Sequence, residues 1–206
     1  MSRADHAYDD FIKVTAKHEM EVVLDKGEHR HIGFCRPNGS AYHFSLITWP
    51  GHLCISGDMG TYVFSRIVDM FSFFRSKDHK INAYYWSEKI ESKDSRCGVR
   101  KYSEESFREA VKKYSADWVY DNDEERDVVK EELEELLQRG DDGECRAYDA
   151  ANDFTSSFGH KYGDFWEAEL RDFTYQYIWC CHAIVYGIQQ YDLFKLEEGN
   201  SNHGEG

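Results

Sequence analysis

The sequence predicts an α+β fold: an antiparallel meander of about four strands near the N-terminus, packed with a mainly helical C-terminal half around a long central C-terminal helix. Three observations carry that expectation. Apolar residues alternate with polar ones between His29 and Ser65, with turn residues separating the runs. From about Phe165 to Phe194 they recur instead at helical spacing. Only Pro37 and Pro50 interrupt the 206 residues, and 16% of the chain is aromatic, so there is ample surface to bury and little to break the elements. One domain over residues 1–198 is expected, followed by a disordered tail at 199–206, where Gly, Asn, Ser, His and Glu leave nothing to bury.

In chain order, Phe11, Val14, His18 and Val22 suggest an amphipathic helix over about 8–25, ended by Gly27. Strands follow at Ile32 to Phe34 and Tyr42 to Thr48, then at His52 to Ser56 and Thr61 to Ser65. Pro37-Asn38-Gly39, Pro50-Gly51 and Gly57-Asp58-Met59-Gly60 supply the turns, the last with two glycines able to take positive φ. Ile67, Met70, Phe71 and Phe74 share one helical face, so a short helix covers the sheet there. Residues 79–91 fit strand and helix alike. Ser103 followed by Glu104 and Glu105 opens a further helix, and Asp123 to Gln138 forms the next, with Val129, Leu133 and Leu136 on its stripe. In the last helix Trp166, Leu170, Phe173, Tyr177, Cys181, Ile184, Ile188 and Tyr191 form one face, while Ile178, Trp179 and Val185 lie off it. Its middle is therefore surrounded on several sides.

Charge narrows the partners. With 25 Lys and Arg against 39 Asp and Glu, the formal charge of −14 disfavours nucleic-acid phosphate and anionic membranes, both of which are gripped by bases. It favours basic partners. No apolar run reaches the roughly twenty residues of a membrane span, and Met1-Ser2-Arg3-Ala4-Asp5-His6 lacks a secretory signal's apolar stretch, so the chain is expected to stay where it is made. The scattered cysteines, Cys35, Cys54, Cys97, Cys145, Cys180 and Cys181, read as reduced and mostly buried thiols.

The densest charge lies between Asp121 and Glu144. The partner-binding candidates there are Asp123, Glu124, Glu125, Asp127, Glu131, Glu132, Glu134, Glu135, Asp141 and Asp142. A solvated helix face that serves solubility explains such a run. So does an acidic surface that docks on a basic groove, its carboxylates standing in for the phosphates of DNA.

A second candidate is a ligand site of Arg30, Trp49, Asp58, Tyr62 and Arg66, in which an aromatic ring stacks a base and the arginines hold phosphate. His29 and His31 alternate along a strand, with His43 or His52 as a third ligand, but scattered histidines rarely converge, and no metal or other cofactor is expected. Cys180-Cys181-His182 is no catalytic dyad, because successive helical side chains point about 100° apart. No nucleophile elbow, phosphate-binding glycine loop or His-Glu-x-x-His helix is present, so no catalytic residue is assigned.

Two segments carry a resemblance. One is Ile47-Thr48-Trp49-Pro50-Gly51-His52-Leu53, continuing through Gly57-Asp58-Met59-Gly60-Thr61-Tyr62-Val63-Phe64 to Asp69-Met70-Phe71; the other runs from Trp179-Cys180-Cys181-His182-Ala183-Ile184 to Gly187-Ile188-Gln189-Gln190-Tyr191-Asp192. They resemble an uncharacterised family of small accessory proteins of bacteriophages and prophages, over about His29 to Asp192. The resemblance implies an origin and a setting, the host bacterial cytoplasm, and no mechanism. Phage accessory proteins of this size often act against host defence. By that association the chain is expected to be a non-enzymatic inhibitor of a defence protein or nucleoprotein complex such as a CRISPR effector. A nucleotide-binding protein or an enzyme acting on a defence signalling nucleotide is the alternative. A minor virion component is a third reading, for which no repeat or coiled-coil pattern speaks.

Overall fold

The computed structural model describes residues 3–76, 78–96, 98–140 and 142–201. The fold is α+β, and it divides into two compact units: Met1–Val99 with Phe173–Gly206, and Arg100–Asp172, which is inserted between them in sequence. The sequence alone predicts a single domain over residues 1–198. Periodicity marks which face of each element is apolar and carries no information about how many cores those faces form.

The first unit is built on six antiparallel strands in sequence order. These are β1 (Glu19–Lys26), β2 (His29–Arg36), β3 (Gly39–Trp49), β4 (His52–Gly57), β5 (Gly60–Ser65) and β6 (Ile90–Lys93). The expected four-strand meander is thus β2 to β5, flanked by two more. The expected helix over 8–25 instead ends early. Helix α1 spans Arg3–Thr15, where the Thr15 hydroxyl turns back onto the Phe11 carbonyl at 2.7 Å, and residues 19–26 are strand β1. Alternating Glu19, Glu21 and β-branched Val22 and Val23 favour the extended form, and Gly27 at φ +62 turns the chain into β2. β1 is an edge strand, and its charges together with a register shift between Val22 and Leu24 blunt it against pairing with other chains.

Tight turns set the register. Trp49 pairs with His52 around Pro50-Gly51, with Gly51 at φ +85, as a type II turn requires. Gly57 pairs with Gly60 around Asp58-Met59, and of these two glycines only Gly60 takes positive φ. One sheet face then carries the buried Ile32, Phe34, Phe44, Leu46, Leu53, Ile55, Tyr62 and Phe64. Packed with them in one core are Phe11 of α1, Phe71 and Phe74 of α2 (Met70–Phe74), Trp86 of α3 (Ala83–Ser87) and the buried face of α7 (Tyr175–Ser201). Helix α2 begins only at Met70, because Asp69 accepts the Phe71 amide as its N-cap, so Ile67 lies outside the helix and is exposed. The ambiguous stretch 79–91 is α3 followed by the start of β6.

Helix α7 approaches the sheet at Gly187, where a Cβ would stand 2.6 Å from Leu46 Cδ1. Its polar side is tied down by charge. Arg30, packed over Phe71 and Tyr191, pairs with Asp69 at 2.9 Å, the Tyr191 hydroxyl donates to Asp25, and Arg75 forks onto Asp192.

The second unit holds β7 (Arg100–Tyr102), α4 (Glu104–Ser115), α5 (Asp123–Gly140), α6 (Glu144–Asn152), a short 3₁₀ turn at Phe165–Glu167 and β8 (Arg171–Phe173), which pairs with β7. Ser103 caps α4 as expected. The core here is Phe107, Val111, Leu136, Leu137, Ala147, Ala151, Phe154, Phe165 and Leu170. Gly140 is the last residue of α5 and not a stop beyond it; a Cβ there would collide with the Phe107 ring.

Three further expectations change. The long terminal helix starts at Tyr175 rather than Phe165, because the 3₁₀ turn and β8 intervene, and Trp166 is 65% exposed. The same helix runs through Ser201, into the stretch read as a tail; residues 202–206 lie outside the described residues. Cys180 and Cys181 are buried, but Cys35 and Cys145 are exposed and Cys54 is intermediate, all five as free thiols; Cys97 lies outside the described residues. Among the described residues no helix is long and apolar enough to cross a membrane.

Candidate functional site

The excess charge is segregated. Residues 100–172 hold eleven Lys and Arg against twenty-two Asp and Glu, so this unit carries −11 of the chain's −14, and the larger unit only −3. Helix α5 is the centre of that charge.

Local sequence explains why α5 begins where it does. Asn122 caps it, its side chain accepting the Glu125 amide at 2.8 Å, and Glu125 reaches back to accept the Asp121 amide at 2.9 Å. This is a capping box displaced by one residue. The other Glu125 oxygen lies 3.1 Å from His160 Nε2, the group that can donate to a carboxylate, and Glu125 is only 7% exposed. His160 stacks on Trp118, with centroids 5.0 Å apart, and meets Tyr120 edge-on. Glu125 is therefore a structural carboxylate inside an aromatic nest, not part of an outward acidic ridge.

Glu132 is also engaged: it accepts the amide and hydroxyl of Ser157. Asp123 and Asp127 share Arg126, Glu134 meets Arg108 at 3.3 Å, and Asp142 meets Arg146 at 2.6 Å. Such exposed pairs contribute about 0–1 kcal/mol each and remain hydrated, so they dampen the local field without abolishing it. Asp141 lies outside the described residues. Glu124, Glu131 and Glu135 are exposed, and no ion pair within 4 Å engages them among the described residues. Glu131 sits seven residues after Glu124 and four before Glu135, which puts all three along one side of α5. The ten candidates thus resolve into three free carboxylates, four paired ones, two that hold structure and one undescribed.

A prediction separates these classes. Glu125→Ala should lower stability by about 1–3 kcal/mol, because it leaves the Asp121 amide and His160 without their acceptor. Glu131→Ala should shift it by no more than about 0.5 kcal/mol. Urea unfolding midpoints of the two variants check both values.

The second set of candidate residues is dispersed into separate interactions. Tyr62 is fully buried in the sheet core, its hydroxyl donating to the Gly98 carbonyl. Arg30 is spent on Asp69, Asp58 accepts the Tyr42 amide and pairs with His43, and Trp49 stacks on His52. Arg66 is exposed in the bend that follows β5. His52 pairs with Glu91, and among the described residues no group of three or more His, Cys, Asp or Glu side chains is placed to hold a metal ion. Burial pushes the Cys181 thiol up to about 12, which makes it a poor nucleophile.

The second unit also has a shallow cleft of about 410 Å³, lined by Ser106, Glu109, Lys113, Tyr114, Glu169 and Arg171 among others. Arg171 forks onto Glu144, and Glu169 meets Arg100, so its charged walls are partly satisfied internally. Sequence reasoning missed this cleft and the His160–Trp118 nest, since both join residues far apart in the chain. Only Asn122-x-x-Glu125, a capping-box spacing, was a readable sign that Glu125 is committed.

Comparison with protein-family models, with curated proteins and with solved structures finds no match.

Proposed function

We propose that this protein is a phage-encoded, non-enzymatic inhibitor of a bacterial defence system, acting in the host cytoplasm on a basic, nucleic-acid-handling surface of a protein such as a CRISPR effector. One observation carries the reading: charge is concentrated as −11 in a unit of 73 residues, with Glu124, Glu131 and Glu135 presented free on one rigid helix. A rigid row of carboxylates offers a phosphate-binding groove the charge it is built to receive, at little ordering cost. Association is then steered by charge and weakened by salt.

The test is to express the protein in a panel of bacterial strains, each carrying one defence system, and to count phage plaques. Protection of phage in at least one strain is expected. The E124K/E131K/E135K variant should lose it, with affinity for the purified effector of that strain falling roughly 100-fold, about 2.7 kcal/mol for three reversed charges, at an unchanged unfolding midpoint. Full activity of this variant would refute the acidic surface as the contact.

A further inference from the structure

We infer that the outward face of the six-stranded sheet is a self-association surface, on which a second copy of this chain stacks face to face about a two-fold axis near Ile47 and Cys54. The inference goes beyond the charge-docking reading and does not depend on it.

Strand register places this face residue by residue. Leu24, His31, Ile47, Cys54, Val63 and Ser92 pair in turn, so they form one row across all six strands. Gly33, Ser45, Ser56 and Thr61 form the adjoining row on β2 to β5. Both rows alternate along the strands with the buried residues of the core, and the core-forming side chains of α1, α2, α3 and α7 pack on that other face. Leu24 is 39% exposed, and Ile47, Cys54 and Val63 are partly exposed. A solvated sheet face is ordinarily polar and charged. Here neither row holds a lysine, arginine, aspartate or glutamate, although 31% of the chain is charged. Charges stand at the margin instead: Glu21 opposite Gly33, Asp58 with His43, and Glu91 with His52. The Ser56 and Thr61 hydroxyls already bond each other at 2.9 Å, so covering that pair costs little desolvation.

Charge selects the occupant. In a two-fold contact each surface meets its own copy, so any charged patch is set against like charge. A chain of −14 therefore accepts a copy only where its surface is neutral, and these rows are neutral in the unit that carries only −3. A neutral centre within a polar margin is also the usual anatomy of an interface. The small residues of the second row let two sheets approach to the roughly 10 Å of stacked sheets. The face measures roughly 24 Å across the strands and about 20 Å along β3 from His43 to Trp49, so two copies bury on the order of 1,000 Å². That is the lower limit for a specific interface and fits a weak, concentration-dependent dimer.

Analytical ultracentrifugation of the full chain over a wide concentration range tests the assignment. The mass should rise from monomer to dimer, and further as salt screens the repulsion between copies, which is the opposite of the salt response of charge docking. Ile47→Lys and Ile47→Glu should each weaken the dimer about tenfold or more, and mixing the two should restore it, because the axis then sets lysine against glutamate. Ser45→Arg, which replaces a hydroxyl outside the core, should weaken it as much at an unchanged unfolding midpoint, which separates loss of the contact from loss of the fold. A chain that stays monomeric throughout would overturn the inference. So would a dimer that Ser45→Arg leaves intact, or Ile47 variants that remain monomeric when mixed.

Discussion

Trp179→Ala is expected to destabilise the first unit by about 3–5 kcal/mol, the usual cost of deleting a fully buried large aromatic side chain. Trp179 is wholly buried on α7, edge-on to Phe11 of α1 at 5.0 Å and to Phe44 of β3 at 5.6 Å. It therefore joins the N-terminal helix, the sheet and the C-terminal helix at one point. No segment can slide into the space left by its indole without withdrawing from another. Among the described residues the buried indole N–H meets no hydrogen-bond acceptor, so Trp179→Phe discards an unsatisfied donor as well as volume and should cost much less than Trp179→Ala. Urea unfolding of the pair checks the contrast; equal losses would mean that the ring's packing matters little.

Gly57→Ala should cost about 3 kcal/mol or more, although a glycine-to-alanine change in a strand ordinarily gains stability. A Cβ at Gly57 would run into the His43 carbonyl oxygen and stand 2.8 Å from Phe44 Cα. These are backbone atoms of the paired strand and cannot swing aside as a side chain would. Relief requires β3 and β4 to separate at that end, where the Asp58 amide donates to His43 O at 3.1 Å. Gly51→Ala supplies the control: among the described residues nothing lies within 4 Å of a Cβ there, so only the left-handed φ of +85 opposes it, at about 1–2 kcal/mol. If Gly57→Ala proves no worse than Gly51→Ala, the close strand approach is wrong.

These two residues also show how legibility varied along the chain. Trp179 could be read as lying off the main helical stripe, hence surrounded, because a 3.6-residue period assigns directions around one helix. Gly57 could be read only as a turn residue. The need for glycine there comes from His43 and Phe44, which no local pattern connects to it. The early end of α1 was missed for a related reason: Val14, His18 and Val22 keep helical spacing by coincidence, and pairing of β1 with β2 decided the competition.

For the candidate site, composition gave the sign of the charge and its concentration in α5. It could not divide ten similar carboxylates by role. Glu125 and Glu132 differ from Glu124 and Glu131 by one position each, a turn of about 100° around the helix, and that turn carries one pair toward the 156–160 turn and leaves the other in water.

The sequence by itself determined the α+β class, the strand order of the meander, the cap of α4 and the acidic character of the surface. Each depends on neighbours in the chain or on a sum over residues. The tertiary structure alone decided that there are two cores, that β1 is a strand, that Tyr62 and Arg30 are committed to the fold, and which carboxylates remain free. All of these depend on which apolar or polar partner from a distant segment fills the space beside a residue, and local periodicity specifies a face without specifying what it meets.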